Sequence, residues 1–326
     1  MTVPPPEVSI IIVNYETSGM VRRCVKSLAE EPVSHEIIVV DNPSPADDAR
    51  NLEGLPVRVV RNAVNLGYGL GCNAGAAVAR GRLICVLNPD TVIPKGALGS
   101  WVASLDACLA SNPRTGLLAP RLVNENGTVQ RSTYQFVNAA NYWLYHSILA
   151  GILKRLRKTF RLPDAPDGRG VRRSDWVMGA AMLLPRAAWQ AVGGFSDRYF
   201  LYSEDADLCR RLWDAGWEVL FDPGVTLIHT QGEASAETRD RAVQRFFKGL
   251  SMFLHTHYGP VRRRSVEVAV ILDMLLRVAV LLPIVALRPS VLIMRKRLRG
   301  YVAVLRMYLR SLFGAGVSTL RAWDPD

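Results

Sequence analysis

The sequence predicts an α/β fold, a mostly parallel mixed sheet flanked by helices, with a helical, membrane-associating appendage at the C-terminal end. Three observations predict it. Short β-branched runs alternate with stretches of helical period, the pattern of strands joined by crossover helices. Polar residues follow directly on several of those runs. The net charge of +11 is gathered into two apolar segments and leaves the rest near neutral.

The elements can be justified in order. Val8-Ser9-Ile10-Ile11-Ile12-Val13-Asn14 reads as a buried strand, since its β-branched side chains pack well on both faces of a sheet. Val21–Leu28 has helical spacing, and Glu36–Asp41 is the next strand. Val57–Val60 is a third strand, followed by a Gly/Asn loop and a helix of small residues over Asn73–Ala79. Leu83–Leu87 is a fourth strand ending at Asn88-Pro89-Asp90, and Ala97–Ala110 is helical. No internal repeat is visible. Ligands of such sheets collect at the carboxyl ends of the strands, where Asn14-Tyr15, Asp41-Asn42 and Asn88-Pro89-Asp90 fall.

At 326 residues, 49% of them hydrophobic, the chain can bury one large core and carry an appendage. Its five cysteines (24, 72, 85, 108 and 209) form no CxxC pair and show no metal-ligand spacing, and Cys85 lies in an apolar run. This usage points to a reducing, cytosolic environment. Met1-Thr2-Val3-Pro4-Pro5-Pro6 lacks the basic and apolar regions of a signal peptide, so the expectation is a part that is not secreted.

Residues 1–130 carry a net charge of −1, residues 131–175 of +6, residues 176–259 of −2 and residues 260–326 of +8. Both basic segments are also apolar. The first contains Tyr142-Trp143-Leu144-Tyr145 and Leu153-Lys154-Arg155-Leu156-Arg157-Lys158. The second opens with Arg262-Arg263-Arg264, runs through Val266–Leu287 and ends in Arg295-Lys296-Arg297-Leu298-Arg299. Basic clusters beside apolar helices suit the anionic cytoplasmic face of a bilayer. Val266–Leu287 is long enough to span, but Glu267, Asp273, Arg277 and Pro283 favour an interfacial helix or a re-entrant pair. Nucleic acid is set aside as a partner, because no recognition-helix or RNP-like motif is present and its binding needs no apolar stretch.

The stretch Arg198-Tyr199-Phe200-Leu201-Tyr202-Ser203-Glu204-Asp205-Ala206-Asp207-Leu208-Cys209-Arg210-Arg211 carries the chemistry. Glu204, Asp205 and Asp207 follow an aromatic run at a strand-to-helix junction, near free backbone N–H groups and a positive dipole end. That setting holds a general base ionised and in place. The alternative is an acidic helix start that only answers the dipole. Asp90, a second acid far upstream at the end of a strand, favours the functional reading. Gly69-Leu70-Gly71-Cys72-Asn73-Ala74 fits the loose dinucleotide pattern, but it does not follow the first strand, and Arg61–Leu66 separates it from the third. These glycines instead let the backbone approach a ligand or pack the helix closely.

Over residues 8–258 the ordered set resembles the inverting family 2 glycosyltransferases of the GT-A fold, and within them the bacterial rhamnosyltransferase-like branch. The motifs are Ile12-Val13-Asn14-Tyr15, Val39-Val40-Asp41-Asn42, Asn65-Leu66-Gly67-Tyr68-Gly69 with Asn73 and Gly75, Asn88-Pro89-Asp90, Gly179-Ala180-Ala181, Gly193-Gly194-Phe195 and Tyr199–Leu208. The resemblance implies a glycosyltransferase domain over 1–258; residues 135–175, with Pro163, Pro166, Gly168 and Gly170, read as a mobile basic loop flanking the acceptor cleft, and the basic, apolar residues 259–326 as a membrane-association region. It implies a nucleobase held by Asn14, Tyr15 and Asp41, and a ribose and sugar pocket shaped by Asn65, Gly67 and Asn73. Asp90 would bind a divalent cation, Mg²⁺ or Mn²⁺, as the last acid of the family's DxD motif. Asn88 replaces the first acid of that motif and can still hydrogen-bond ribose.

The remaining roles follow from the same resemblance. His229, ending Val225-Thr226-Leu227-Ile228, matches a histidine that completes the metal site in some members; the other reading is a turn histidine. Asp205 is the expected base and Glu204 its positioning partner or the acceptor's. Asp207 caps the helix, and Arg210 or Arg211 pairs with the cluster. Gly179 lies on the acceptor side, and Trp176 either stacks on the acceptor sugar or packs the core. The expected reaction is a single inverting displacement, most simply of L-rhamnose from dTDP-rhamnose onto a polyprenyl-linked or polysaccharide acceptor of the envelope. It would run at the cytoplasmic face of the inner membrane on a peripheral or monotopic protein. A UDP-hexose or UDP-galactofuranose donor, a silent nucleotide-binding scaffold and a homodimer through the tail are the alternatives.

Overall fold

The computed structural model describes residues 4–44, 48–150, 170–230, 239–287 and 291–313. The strands are β1 (Val8–Asn14), β2 (His35–Asp41), β3 (Arg58–Arg61), β4 (Leu83–Leu87), β5 (Thr91–Val92), β6 (Thr115–Val123), β7 (Thr133–Tyr134), β8 (Arg172–Arg173), β9 (Trp176–Val177), β10 (Ala181–Pro185) and β11 (Glu218–His229). The helices are α1 (Ser18–Leu28), α2 (Gly67–Val78), α3 (Ala97–Ser111), α4 (Ala139–Tyr145), α5 (Arg186–Val192), α6 (Glu204–Asp214), α7 (Arg239–His257), α8 (Pro260–Leu287) and α9 (Leu292–Leu312).

The main sheet runs β3-β2-β1-β4-β10-β6-β11-β5, with β8 beside β11. The first four strands are parallel, β10 is antiparallel to both its neighbours, and β6 and β11 are parallel again. The sheet is mixed, with parallel pairs forming its first half. All of β1 is buried, as its composition requires. Ile10 and Ile12 face the core under α1 and α3, while Ile11 and Val13 face the core under α2 and α6. Each such side chain contributes about 1.5–3 kcal/mol of transfer free energy.

Helix α2 starts at Gly67, six residues before the expected start at Asn73. Its glycines read locally as a loop, but they answer crowding. A Cβ on Gly75 would lie 2.6 Å from Ile11 Cγ2, so the helix rides directly on the sheet. Gly67 has φ +76°, and a Cβ there would meet the Phe200 carbonyl oxygen at 2.2 Å. Only glycine satisfies both demands.

The boundary expected near residue 258 cuts through a shared core. Val137 and Tyr142 from the basic segment, Ala206 from α6 and Phe253 from α7 pack together with Val270 of α8 and Tyr308 of α9. Of the segment 135–175, residues 151–169 lie outside the described residues. Within the preceding part Ala139–Tyr145 form α4, which opens with a reciprocal capping box between Asn138 and Asn141.

Helix α8 is continuous through Pro283, so no re-entrant pair forms over these residues. It is long and apolar enough to cross a membrane, the only such helix among the described residues. Its internal charges face the protein. Asp273 is fully buried and accepts from Tyr142 Oη at 2.9 Å, Ile148 N at 2.7 Å and Arg277 Nε at 2.8 Å. Val268, Leu272, Leu275, Leu276 and Leu282 are exposed on it.

Candidate active site

Strand register assembles the site. Asn14 pairs with Asp41, and Ile12 pairs with Leu87, one residue before Asn88. The antiparallel β10 begins at the same edge, with Ala181 opposite Leu87 and Asn88 N donating to the Ala180 carbonyl. Strand β11 reaches it from the far side, where His229 pairs with Thr91. Residues distant in the chain thus share one rim of the sheet.

At the first corner, Asn14 Nδ2 donates to Asp41 Oδ1 at 2.8 Å, and Asn14 Oδ1 accepts from Thr17 N and Oγ1. The amide is thereby fixed against Asp41 Oδ1. Tyr15 is 39% exposed, so its ring is available for stacking. Asn42, which carried no assigned role in the sequence reading, is a hub. It donates to the Gly67 carbonyl at 3.0 Å and accepts from Asn62 Nδ2 at 2.8 Å and Leu66 N at 3.3 Å.

The second corner joins Asn88, Asp90 and His229. His229 Nε2 lies 3.3 Å from Asp90 Oδ1, which is buried and has no hydrogen-bond partner. Gln130, far away in sequence and unmarked by any motif, sets the tautomer. Its Nε2 donates to Asn124 Oδ1 and to the His229 carbonyl, so its Oε1 is the atom facing His229 Nδ1 at 2.8 Å. Nδ1 therefore carries the proton, and in the neutral ring the lone pair of Nε2 faces an orphaned carboxylate oxygen. Two acceptors at that distance require a proton or a cation. A histidine oriented through its other nitrogen beside a carboxylate fits a divalent metal ligand pair. Among the described residues no third His, Cys, Asp or Glu completes a cluster.

The third corner is the start of α6. Asp205 Oδ2 accepts from Gly179 N at 3.0 Å and Oδ1 from Ala206 N at 2.8 Å. Burial raises its carboxyl above the ordinary range, while those two N–H groups work against the rise. Glu204 is raised further, first by burial and then by the Asp205 charge, and its Oε2 is buried without a partner. The pair accordingly favours one shared negative charge, held on Asp205. Burial opposes ionisation of Asp207 too, but His257 at 2.8 Å and Arg211 at 2.7 Å hold it below the usual range. Asp207 and Arg211 thus form a structural pair, and Arg210 turns to Asp214. Tyr202 and Ser203, with φ 71° and 72°, precede the helix in the left-handed region. Such strain is retained where neighbours fix the backbone, and here α7 packs Gly249 against both residues.

Several other candidates serve the scaffold. Asn65 Oδ1 accepts from Gly67 N at the start of α2. Asn73 uses its amide on both backbone groups of Phe195, which ties α2 to the Phe195 backbone. Trp176 stacks on Tyr134 with centroids 4.2 Å apart and donates to the Gln135 carbonyl, so one ring face is covered. Tyr68, present in a quoted motif but given no role, donates to the Gly179 carbonyl at 2.7 Å beside Asp205.

A mixed sheet of this order, with its polar rim and its acid-led helix, is the GT-A fold of a glycosyltransferase. It resembles the Pyrobaculum calidifontis mannosyltransferase PcManGT in complex with GDP-Man and Mn²⁺ (TM-score 0.53, 15% identity, 96% of this chain and 88% of that one). It also resembles GalNAc-T7 with UDP, GalNAc and Mn²⁺ (TM-score 0.52, 20% identity, 74% and 48%). The Glycosyl transferase family 2 profile matches residues 9–176, and that of Glycosyl transferase family group 2 matches residues 150–319. The chain belongs to glycosyltransferase family 2 and is rhamnosyltransferase-like. The N-acetylglucosaminyl-diphospho-decaprenol L-rhamnosyltransferase of Mycobacterium tuberculosis is 28% identical over 262 residues, 75% of this chain and 83% of that protein. Rhamnosyltransferase WbbL of Escherichia coli is 42% identical over 55 residues, 17% of this chain and 21% of that protein.

Proposed function

We propose that the protein transfers a sugar, L-rhamnose from dTDP-rhamnose in the first instance, to a hydroxyl of a polyprenyl-diphosphate-linked acceptor in envelope glycan synthesis. The observation that carries this is Asp205, raised by burial yet held by the Gly179 and Ala206 N–H groups on the rim that also bears Asp41 and Asp90. The relative from M. tuberculosis, named for rhamnosyl transfer to N-acetylglucosaminyl-diphospho-decaprenol, supports the acceptor class and the sugar.

In this reading Asp41 accepts the imide N–H of the base, Asn14 keeps that carboxylate oriented, and Tyr15 stacks on the ring. Asp90 and His229 are the residues that would hold a divalent cation. Such a cation supplies charge neutralisation for the departing diphosphate. Asp205 takes the proton of the acceptor hydroxyl as its oxygen attacks the anomeric carbon. Glu204 retains its own proton, so the base does not share its site with a second full charge. One displacement with one base inverts the anomeric configuration.

The exposed apolar side of α8, flanked by exposed Arg262 and Arg264 and by Arg295, Lys296 and Arg299 of α9, is read as resting on an anionic cytoplasmic leaflet. Wild-type protein should float with anionic vesicles, and Leu272→Glu with Leu275→Glu should abolish flotation. A shift in sedimentation without flotation would instead assign that side to a second copy of the chain.

The deciding experiment offers dTDP-rhamnose, UDP-glucose, UDP-galactose and UDP-N-acetylglucosamine with Mg²⁺ or Mn²⁺ and follows nucleoside diphosphate release. Metal-dependent release from dTDP-rhamnose, abolished by Asp90→Ala, is the expected outcome. No release from any donor, together with no nucleotide binding by calorimetry, would refute the reading.

A further inference from the structure

Beside the loop that leads into Glu204 lies a cavity of about 260 Å³ that none of the roles above uses. It is formed by Arg198–Tyr202, by one side of α7 and by the middle of α9. Arg198, Arg241, Arg245 and Lys248 line it, with no aspartate or glutamate among its described lining residues. The basic groups are positioned: Arg198 Nη1 donates to Thr256 Oγ1 at 3.2 Å, and the Arg245 guanidinium lies 5.2 Å from the Phe200 ring centroid. Met252 and Met307 supply an apolar, deformable wall opposite.

The cavity shares its loop with the catalytic acids. The Phe200 carbonyl accepts from Tyr68 N on the donor side, and Gly249 of α7 packs on Tyr202 and Ser203 from the cavity side. Two residues separate Tyr202 from Asp205, so their Cα atoms are at most about 10 Å apart. A cluster of cations next to an apolar wall, on the loop that leads to the base, matches a group that is doubly phosphorylated at one end and hydrocarbon at the other.

We propose that this cavity binds the diphosphate and the first prenyl unit of a lipid-linked acceptor, and so sets which sugar hydroxyl reaches Asp205. The inference rests on the glycosyltransferase reading above and names its acceptor subsite. Arg245 and Lys248 contribute charge-assisted hydrogen bonds to the phosphates, while the methionines exclude water from the first isoprene unit.

The test uses the full chain with its nucleotide site saturated by nucleoside diphosphate, and geranyl diphosphate as the probe in calorimetry. Saturable binding is expected, weakened about tenfold by Arg245→Ala and again by Lys248→Ala, with Lys248→Arg restoring it. Geraniol should not bind. Retained nucleotide binding and an unchanged melting temperature report that the variants fold. In a transfer assay the same variants should raise KM for a short-chain diphosphate-linked acceptor more than they lower kcat. Equal geranyl diphosphate binding by wild type and variants would overturn the proposal. So would variants that lose only anionic-vesicle binding, since the cations would then read bilayer phosphate. Failure of every sugar donor would sink the functional reading alone, because the binding arm needs no turnover.

Discussion

Two groups of buried carboxylates in this protein, in the tail and on the rim, have opposite surroundings. In the tail, Asp273 is saturated, with a tyrosine hydroxyl, a backbone N–H and an arginine on its two oxygens. On the rim, Asp90 Oδ1 and Glu204 Oε2 are buried with no hydrogen bond at all. Glu267 falls between, bonded to Ser311 through one oxygen while its other oxygen is unpartnered. A saturated charge holds elements together. An unsaturated one costs stability unless something binds it. The comparison teaches that the kind of partner matters more than burial: Asp273 is bound to a tyrosine and an arginine, whereas Asp205 on the rim is held by two backbone N–H groups.

Breaking the comparison at its strongest point should give the largest effect. Asp205→Asn is expected to lower the transfer rate by roughly 10²–10⁴ with nucleotide affinity unchanged, measured by single-turnover kinetics and calorimetry. Because the Asp205 pKa is raised, wild-type activity should fall as pH drops through a value above the usual aspartate range, and the variant should lack that limb. Asp273→Ala should act on the fold instead. It strands the half-buried Arg277 and should cost about 3–5 kcal/mol in denaturant unfolding, with the residual folded fraction still turning over.

The smallest effect sharpens the contrast, because it runs the other way. The folded-state pKa of Glu204 lies above its unfolded value, so its contribution to stability is full below the unfolded pKa and is lost as pH rises toward the folded one. Glu204→Gln removes that loss. It should stabilise the protein by about 1–2 kcal/mol at pH 8, and by little at pH 4, while reducing transfer. Equal melting temperatures at both pH values would show that Glu204 is hydrated.

Much of this was legible in the sequence because strands of β-branched residues announce themselves and their polar ends follow directly. Asn14, Asp41 and Asp90 could be placed at strand tips without coordinates, and the register brings those tips to one rim. The start of α2 was not legible. Its glycines are dictated by Phe200 and Ile11, contacts that local pattern does not encode. Gln130 was invisible for a similar reason, as its role depends on a tertiary contact with His229, 99 residues later. The charges in α8 were read as obstacles to spanning a membrane. They point inward, and only packing against α4 and α9 reveals that.

The antiparallel strand β10 has a consequence for the polarity of the rim. A strand that runs toward an edge arrives there with its final carbonyls, whereas a strand that runs away departs from it with its first amides. A wholly parallel sheet would therefore line this rim with carbonyl oxygens, which repel carboxylates. By reversing β10 the protein places the Gly179 amide just ahead of that strand at the same edge, where it meets Asp205. Strand direction, set by the topology of the sheet, supplies the hydrogen that steadies the Asp205 carboxylate.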